Sequence, residues 1–249
     1  MSNLFEILDY TGQLLDISRF RDYCPNGLQV EGRTEIKKLV SGVTASQDLL
    51  QKAAELGADA ILVHHGYFWR NEAPQITGIK RKRIGLLVRN DMSLLAYHLP
   101  LDAHPELGNN AQLGTRLGFT IEGWFSDKRI AAYGNLAQPA GLPELAQNIE
   151  TKLGRTPLVV GDPDKTVRRI AWCSGAAQEY FAEAIGLGID AFLTGEISEH
   201  TVHLAREYGV AFISAGHHAT ERYGVQALGE HLEHRFGLQH HFVDVDNPV

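Results

Sequence analysis

The sequence predicts the α/β class, a parallel sheet with helices packed on both faces. Short apolar runs alternate with helical stripes along most of the 249 residues. The runs are apolar throughout rather than at every second residue, which marks strands covered on both sides. A glycine or a polar turn separates each run from the stripe after it.

Lys38 to Val43 reads as a strand. Thr44 with Gln47 reads as a capping box, and Leu49, Leu50, Ala53 and Leu56 form a helical stripe that Gly57 stops. Ala60 to Val63 and Ser93 to Tyr97 are further strands, and Asn109 to Leu117 is a short helix closed by Gly118. From Asp127 to Gly141 the periodicity fades, which places a domain boundary there. Residues 1–126 together with 210–249 then form a first α/β lobe, and 127–209 an inserted second one. In the second, Leu142, Leu145, Ala146, Ile149 and Leu153 repeat with the period of a helix. Leu158 to Val160, Ile170 to Trp172 and Ala191 to Leu193 read as strands, with helices near Ala176 to Leu187 and Ser198 to Tyr208. The chain closes on a strand at Ala211 to Ser214, a long helix to about Phe236 and a strand around Phe242 to Val245.

Composition is that of an ordinary globular protein, with 44% apolar and 21% charged residues. A net charge of −7 disfavours nucleic acid and anionic membrane as partners. The run Lys80-Arg81-Lys82-Arg83 is the local exception, and it reads as a solvated helix face. Cys24 and Cys173 form no CxxC, so neither a disulfide framework nor a zinc-thiolate knuckle is expected. Glu6 and Asp9 break up the N-terminal stretch, which does not read as a signal peptide, and no apolar run reaches membrane length. Cytoplasmic localisation is the expectation.

The residues with chemistry gather where strands end, the usual place for sites in open α/β sheets. His64 and His65 end the strand AILV, His98 ends SLLAY with Asp102 four residues on, and His217 follows AFIS through Ala215 and Gly216. Adjacent histidines on a regular strand point to opposite faces, so sharing one metal would need a bend at Gly66, whereas two metals would use both rings as they stand. Alone, this pair reads equally well as two imidazoles satisfied by loop carbonyls. His217 and Glu221 share one helix face with Val225, Leu228 and Leu232, which makes it the inward face. A buried carboxylate needs a partner, and a metal would serve. The alternative leaves Glu221 as a helix-terminus charge and His217 as a cap.

Three imidazoles and two carboxylates make a nitrogen and oxygen set suited to divalent iron, zinc, manganese, cobalt or nickel. Five ligands exceed the needs of one catalytic zinc and suit two ions about 3.5–4 Å apart, with Glu221 and Asp102 as candidate bridges. His98, His104, Glu196, His200 and His203 could reach the same region, although surface loops and helix starts would account for them too. His218, rotated off the His217 face, reads as backing the ligands or facing solvent, and His231, His234, His240 and His241 read as bland. Ser174-Gly175-Ala176, between a strand and a helix, could offer backbone N–H groups to a phosphate.

Six segments carry a family resemblance: PNGLQVEG (25–32), GVTAS (42–46), VHHGYFW (63–69), HLPLDAHPELGNNAQL (98–113), LTGE (193–196) and AGHHATE (215–221). With them the chain resembles, essentially end to end, the GTP cyclohydrolase I type 2 family of Nif-three-like dinuclear metal proteins. The resemblance implies His64, His65, Asp102, His217 and Glu221 as ligands of two divalent metal ions per subunit. It also implies two three-layer α/β lobes with the metals in the cleft between them, and a hexameric ring. The domain division above puts all five ligands on the first lobe.

A metal-dependent hydrolase acting on a nucleotide-like or cyclic amide substrate is the expected function, a metal-bridging hydroxide attacking an electrophilic carbon. His98 or His200 would relay the proton to the leaving nitrogen. The competing expectation is a non-catalytic metal-containing scaffold whose ring presents a binding surface. Nucleic-acid binding would need a basic lining that a net charge of −7 does not readily supply.

Overall fold

The computed structural model describes residues 2–249. In chain order the elements are β1 (Ser2–Asn3), α1 (Leu4–Leu14), β2 (Gly27–Val30), β3 (Glu35–Ile36), β4 (Lys38–Thr44), α2 (Gln47–Glu55), β5 (Ala60–His65), α3 (Gly78–Arg89) and β6 (Ser93–Ala96). There follow α4 (Leu99–Ala103), α5 (Asn109–Leu117), β7 (Phe119–Phe125), β8 (Ala131–Gly141), α6 (Leu142–Leu153), β9 (Leu158–Val160) and β10 (Thr166–Trp172). The last are α7 (Phe181–Ile185), β11 (Ala191–Thr194), α8 (Glu199–Tyr208), β12 (Ala211–Ser214), α9 (His217–Phe236) and β13 (Gln239–Phe242). None of the helices is long and apolar enough to cross a membrane among the described residues.

The chain divides into two compact units. The first takes the chain up to Leu101 together with Gly224–Asp246, and the second takes Asp102–Tyr223 with Asn247–Val249. In the first unit a five-stranded sheet runs in the order β13-β4-β5-β6-β2. Its four strands from β13 to β6 pair in parallel, and β2 adds an antiparallel edge. Leu49, Leu50 and Ala53 of α2 and Leu87 of α3 pack on Val40, Ile61, Val63 and Leu94. Leu39, Leu62 and Leu95, next in sequence to residues of that face, are buried as well, so the sheet is covered on both sides. That double burial is why these strands read as unbroken apolar runs.

The second unit holds a six-stranded mixed sheet, β7-β8-β10-β11-β12-β9. Only the β10–β11 and β11–β12 pairings are parallel, and the others are antiparallel. On one face Leu113, Leu145, Ile149 and Ala219 of α5, α6 and α9 close over Trp172, Leu193 and Ile213. On the other, Phe181 of α7 packs on Phe192 and Phe212, at ring-centroid distances of 5.7 and 5.0 Å.

The expected division at 126/127 and 209/210 differs from these boundaries, and strand pairing gives the reason. β7 pairs antiparallel with β8, and β12 pairs with β11, so 119–125 and 211–214 belong to the second sheet. Of the five expected ligands, the first unit carries only His64 and His65. Asp102, His217 and Glu221 fall in the second. The stretch taken as a boundary, 127–141, is mostly the long strand β8. The cap of α2 is Ser46, whose hydroxyl accepts from the Leu49 N–H at 3.2 Å, while Thr44 still lies in β4. The helix expected near 176–187 is a short 3-10 turn followed by α7. The closing strand sits at Gln239–Phe242, earlier than expected, because its Gln239 pairs with Lys38.

Candidate metal centre

In the first unit β5 delivers His64 and His65 at its C-terminal end. Their ring centroids are 4.6 Å apart, so the strand pleat does not hold these consecutive imidazoles on opposite sides. His98, past the end of β6, joins them, and one nitrogen of each of the three rings lies within 4.8 Å of the others. His64 is fully buried, with its Nδ1 2.9 Å from the Tyr97 carbonyl oxygen. A carbonyl only accepts, so Nδ1 carries the proton and Nε2 is the nitrogen left for a metal. This is the arrangement found around metal-ligating histidines. His65 places Nδ1 3.1 Å from the Thr44 hydroxyl, across the β4/β5 register.

His98 is held by Asp22. The Asp22 carboxylate lies 2.8 Å from His98 Nδ1 and accepts from the Leu99 N–H at 2.9 Å and the Asn26 amide at 2.9 Å. Burial alone would raise the Asp22 pKa. Its hydrogen bond and attraction to His98, with the bonds from Asn26 and Tyr23, lower it to about 2. Gly66 has no left-handed backbone. A Cβ there would meet Gln29 Oε1 at 2.2 Å, and the same Gln29 oxygen accepts from the Tyr67 N–H. The glycine after the histidines serves close packing, not a φ that only glycine adopts.

In the second unit Asp102 and Glu221 are both buried, and a carboxylate oxygen of one lies within 4.8 Å of one of the other. Two asparagines at the start of α5 build the Asp102 side. Asn109 donates to Asp102 Oδ1 at 2.9 Å, while the Asn110 side-chain oxygen accepts from the Ser174 N–H at 2.7 Å. His217 and Glu221 stand one turn apart at the start of α9, with Nε2 3.2 Å from Glu221 Oε2. The other ring nitrogen, Nδ1, is 2.6 Å from Glu196 Oε1. Burial would lower the His217 pKa, but the hydrogen bond and charge of Glu221, then those of Glu196, raise it to about 9. A metal ion would compete with that proton for Nε2.

Gly175 makes this packing possible. Its φ is +67°, and a Cβ there would fall 2.2 Å from Glu221 Oε1 and 3.3 Å from His217 Nε2. The turn is not the phosphate cradle its sequence suggested. The N–H groups of Ser174 and Gly175 are spent on Asn110 Oδ1 and Thr220 Oγ1.

Both cysteines are free and buried. Burial, with the charge of Asp22, raises Cys24 to about 12, and burial, with the charges of Asp102 and Glu221, raises Cys173 well above its ordinary value. Cys24 does lie near Asp22 and His98, while the five expected ligands make a nitrogen and oxygen donor set. Among the other candidates, His200 is 55% exposed, 3.7 Å from Glu179, and His203 is exposed beside Glu199. His104 Nδ1 accepts from the Leu107 N–H, His231 meets the Tyr10 hydroxyl, His234 meets the Glu230 carbonyl and His240 meets Ser41. Sequence reasoning missed Asp22, Asn26, Asn109, Asn110 and Thr220, and it left Glu196 open between a place at the site and a helix-start charge. All of these except Asp22 lie within the six quoted segments, but no periodicity marked them.

Clusters of imidazoles and buried carboxylates on sheets of this kind fit a metal-binding α/β protein. The chain belongs to the Duf34/NIF3 (NGG1p interacting factor 3) family, whose model matches residues 2–248. A relative from Pseudomonas aeruginosa called "GTP cyclohydrolase 1 type 2 homolog" is 54% identical over 249 residues, covering 99% of this chain and 98% of the relative. One of the same description from Escherichia coli is 50% identical over 245 residues, covering 98% of each. Among solved structures, protein ybgI, described as of unknown function, superposes with a TM-score of 0.96 at 50% identity over the whole of both chains. TTHA1606 from Thermus thermophilus superposes with 0.90 at 34% identity, covering 99% of this chain and all of that one. Family membership and the clustered ligand residues together support a metal-binding protein of this family.

Proposed function

We propose that this chain holds two divalent metal ions through His64, His65, Asp102, His217 and Glu221, and that it is a metal-dependent hydrolase acting on a nucleotide-like or cyclic amide substrate. One observation carries the metal reading: two buried carboxylates, Asp102 and Glu221, approach within 4.8 Å. At an effective dielectric of about 20, two unit charges at that distance repel by roughly 3 kcal/mol. His217 faces both Glu221 and Glu196, so one imidazolium does not balance the group. A divalent cation does, and the proton on His64 Nδ1 leaves Nε2 suited to bind one.

Bound divalent ions would supply a water-derived nucleophile near neutral pH and polarise the bond under attack. The chain's own residues supply the rest. Glu196 orients His217 through Nδ1, and Asn109 orients Asp102. Asp22 fixes the His98 ring, which suits His98 to carry a proton to the leaving group. His200, exposed beside Glu179, is the second candidate for that transfer. The hexameric ring and the cytoplasmic location belong to the same proposal and rest on the family.

The test loads the protein with iron, zinc, manganese, cobalt or nickel in turn and offers GTP, other nucleotides and cyclic amides. Turnover that disappears in both His64→Ala and Glu221→Ala supports the reading. If every loaded form leaves the whole panel intact, the hydrolase reading fails and the metal has a non-catalytic role. Sedimentation of the purified protein checks the hexamer.

A further inference from the structure

The basic run that reads as a solvated helix face does more than face solvent. In the first unit α2 and α3 border a cavity of about 430 Å³. Arg81, Lys82 and Arg89 of α3 line it, with Gln47 and Gln51 of α2. The spacing explains why they converge. Gln47 and Gln51 are one turn apart on α2, while Arg81, Gly85 and Arg89 follow the i, i+4, i+8 stripe of α3 with Lys82 beside it. Gly85 lies under the Arg89 guanidinium, and a Cβ there would already stand 3.2 Å from Arg89 Nη1. A glycine inside an exposed helix costs about 1 kcal/mol relative to alanine, and here it leaves the cavity open.

Charge separates this group from its neighbours. Lys80, next in sequence, is neutralised by Glu72 at 3.3 Å. Among the described residues no carboxylate lies within ion-pair distance of Arg81, Lys82 or Arg89, and no acid lines the cavity. Three cations and two amides therefore face one space in a chain whose net charge is −7. Guanidinium groups offer paired N–H donors that match phosphate oxygens, lysine adds a point charge, and amides can donate to what remains. The volume is that of a small-molecule site.

We propose that the α2/α3 cavity is an anion site for a small ligand carrying several phosphate charges, held by Arg81, Lys82 and Arg89. It lies apart from the proposed metal ligands in sequence and shares no residue with them. The cavity thus offers binding of a charged ligand that does not require the metals.

Calorimetric titration of the metal-loaded full chain with inorganic triphosphate tests this, beside inorganic phosphate and a single-stranded oligonucleotide. Triphosphate should bind more tightly than phosphate. Arg81→Gln and Arg89→Gln should each weaken it about ten-fold or more, the scale of a lost charge-assisted contact. Arg206→Gln, which removes an exposed cation from α8, should leave binding unchanged, and metal content should match the parent in all three variants. Retained metal with lost triphosphate binding keeps this site distinct from the metal reading. Equal triphosphate affinity in all variants, or no binding up to millimolar concentration, overturns the proposal. So does an oligonucleotide that binds with a steep salt dependence where triphosphate does not.

Discussion

Replacing Gly175 with alanine should damage the proposed metal centre more than it damages the fold. Two costs separate cleanly. At φ +67° an alanine Cβ carries a left-handed backbone penalty of about 1–2 kcal/mol. That Cβ would also sit 2.2 Å from Glu221 Oε1, on the order of 1 Å inside ordinary contact, so the carboxylate must move by about that much. A displacement of this size exceeds the roughly 0.5 Å within which ligands must be held. Gly57 supplies the control, with φ +68° and nothing within 4 Å of an added Cβ. Gly57→Ala should therefore cost only the backbone term, a fall of about 2–8 °C in Tm, with metal content unchanged. Gly175→Ala should cost about 1–3 kcal/mol more through overpacking and weaken metal binding at least ten-fold. Thermal melts with and without chelator, paired with metal analysis, read both quantities. If Gly175→Ala keeps parental metal affinity while Gly57→Ala melts alike, the Cβ clash does not reach a ligand and the reasoning is wrong.

Three further outcomes follow from the geometry. Removing the partner of His217 Nδ1 with Glu196→Ala should lower metal affinity by about 10- to 100-fold, and Glu196→Gln, which keeps an acceptor, should lower it less; competition with a metallochromic chelator measures both. Asp22 has a folded pKa of about 2, below its unfolded value, so its contribution to stability is complete above about pH 4 and is lost as pH falls toward 2. Denaturant melts across that window should show the parent losing stability faster than Asp22→Asn, and parallel curves would exclude the effect. Phe212→Ala should cost about 3–5 kcal/mol, because its fully buried ring packs against both Phe181 and Phe192 on one face of the second sheet; urea unfolding reports it.

How much of this was legible depended on what fixed each element. Ala60 to Val63 could be read because both sheet faces are covered, which forces an unbroken apolar run. The helix 109–117 has the expected bounds because Gly118 adopts the left-handed conformation that ends it. β8 was invisible for the opposite reason. Its sequence, AAYGNLAQPAG, has weak strand preference, and pairing with β7 and β10 imposes the strand from outside. Missing β8 misplaced the domain boundary, and with it the unit that carries Asp102.

The histidines and acids at strand and helix ends were legible because apolar periodicity stops there and a chemically costly residue follows. Their supports were not. Asp22 reaches His98 across 76 positions, and Asn110 reaches Ser174 across 64. Such contacts leave no local pattern, since any polar residue in a loop looks alike until the chain has folded around it. Glu196 was visible as a residue but not as a partner, because only the parallel pairing of β11 and β12 brings it beside His217.

The central claim is that these side chains hold two metal ions. Metal analysis of protein purified without chelator or added metal tests it most directly, alongside His64→Ala and Glu221→Ala. The account predicts close to two ions per chain in the parent and a clear loss in each variant, with both variants still folded by circular dichroism. A folded parent without bound metal, or variants that keep the parent's full complement, would contradict it.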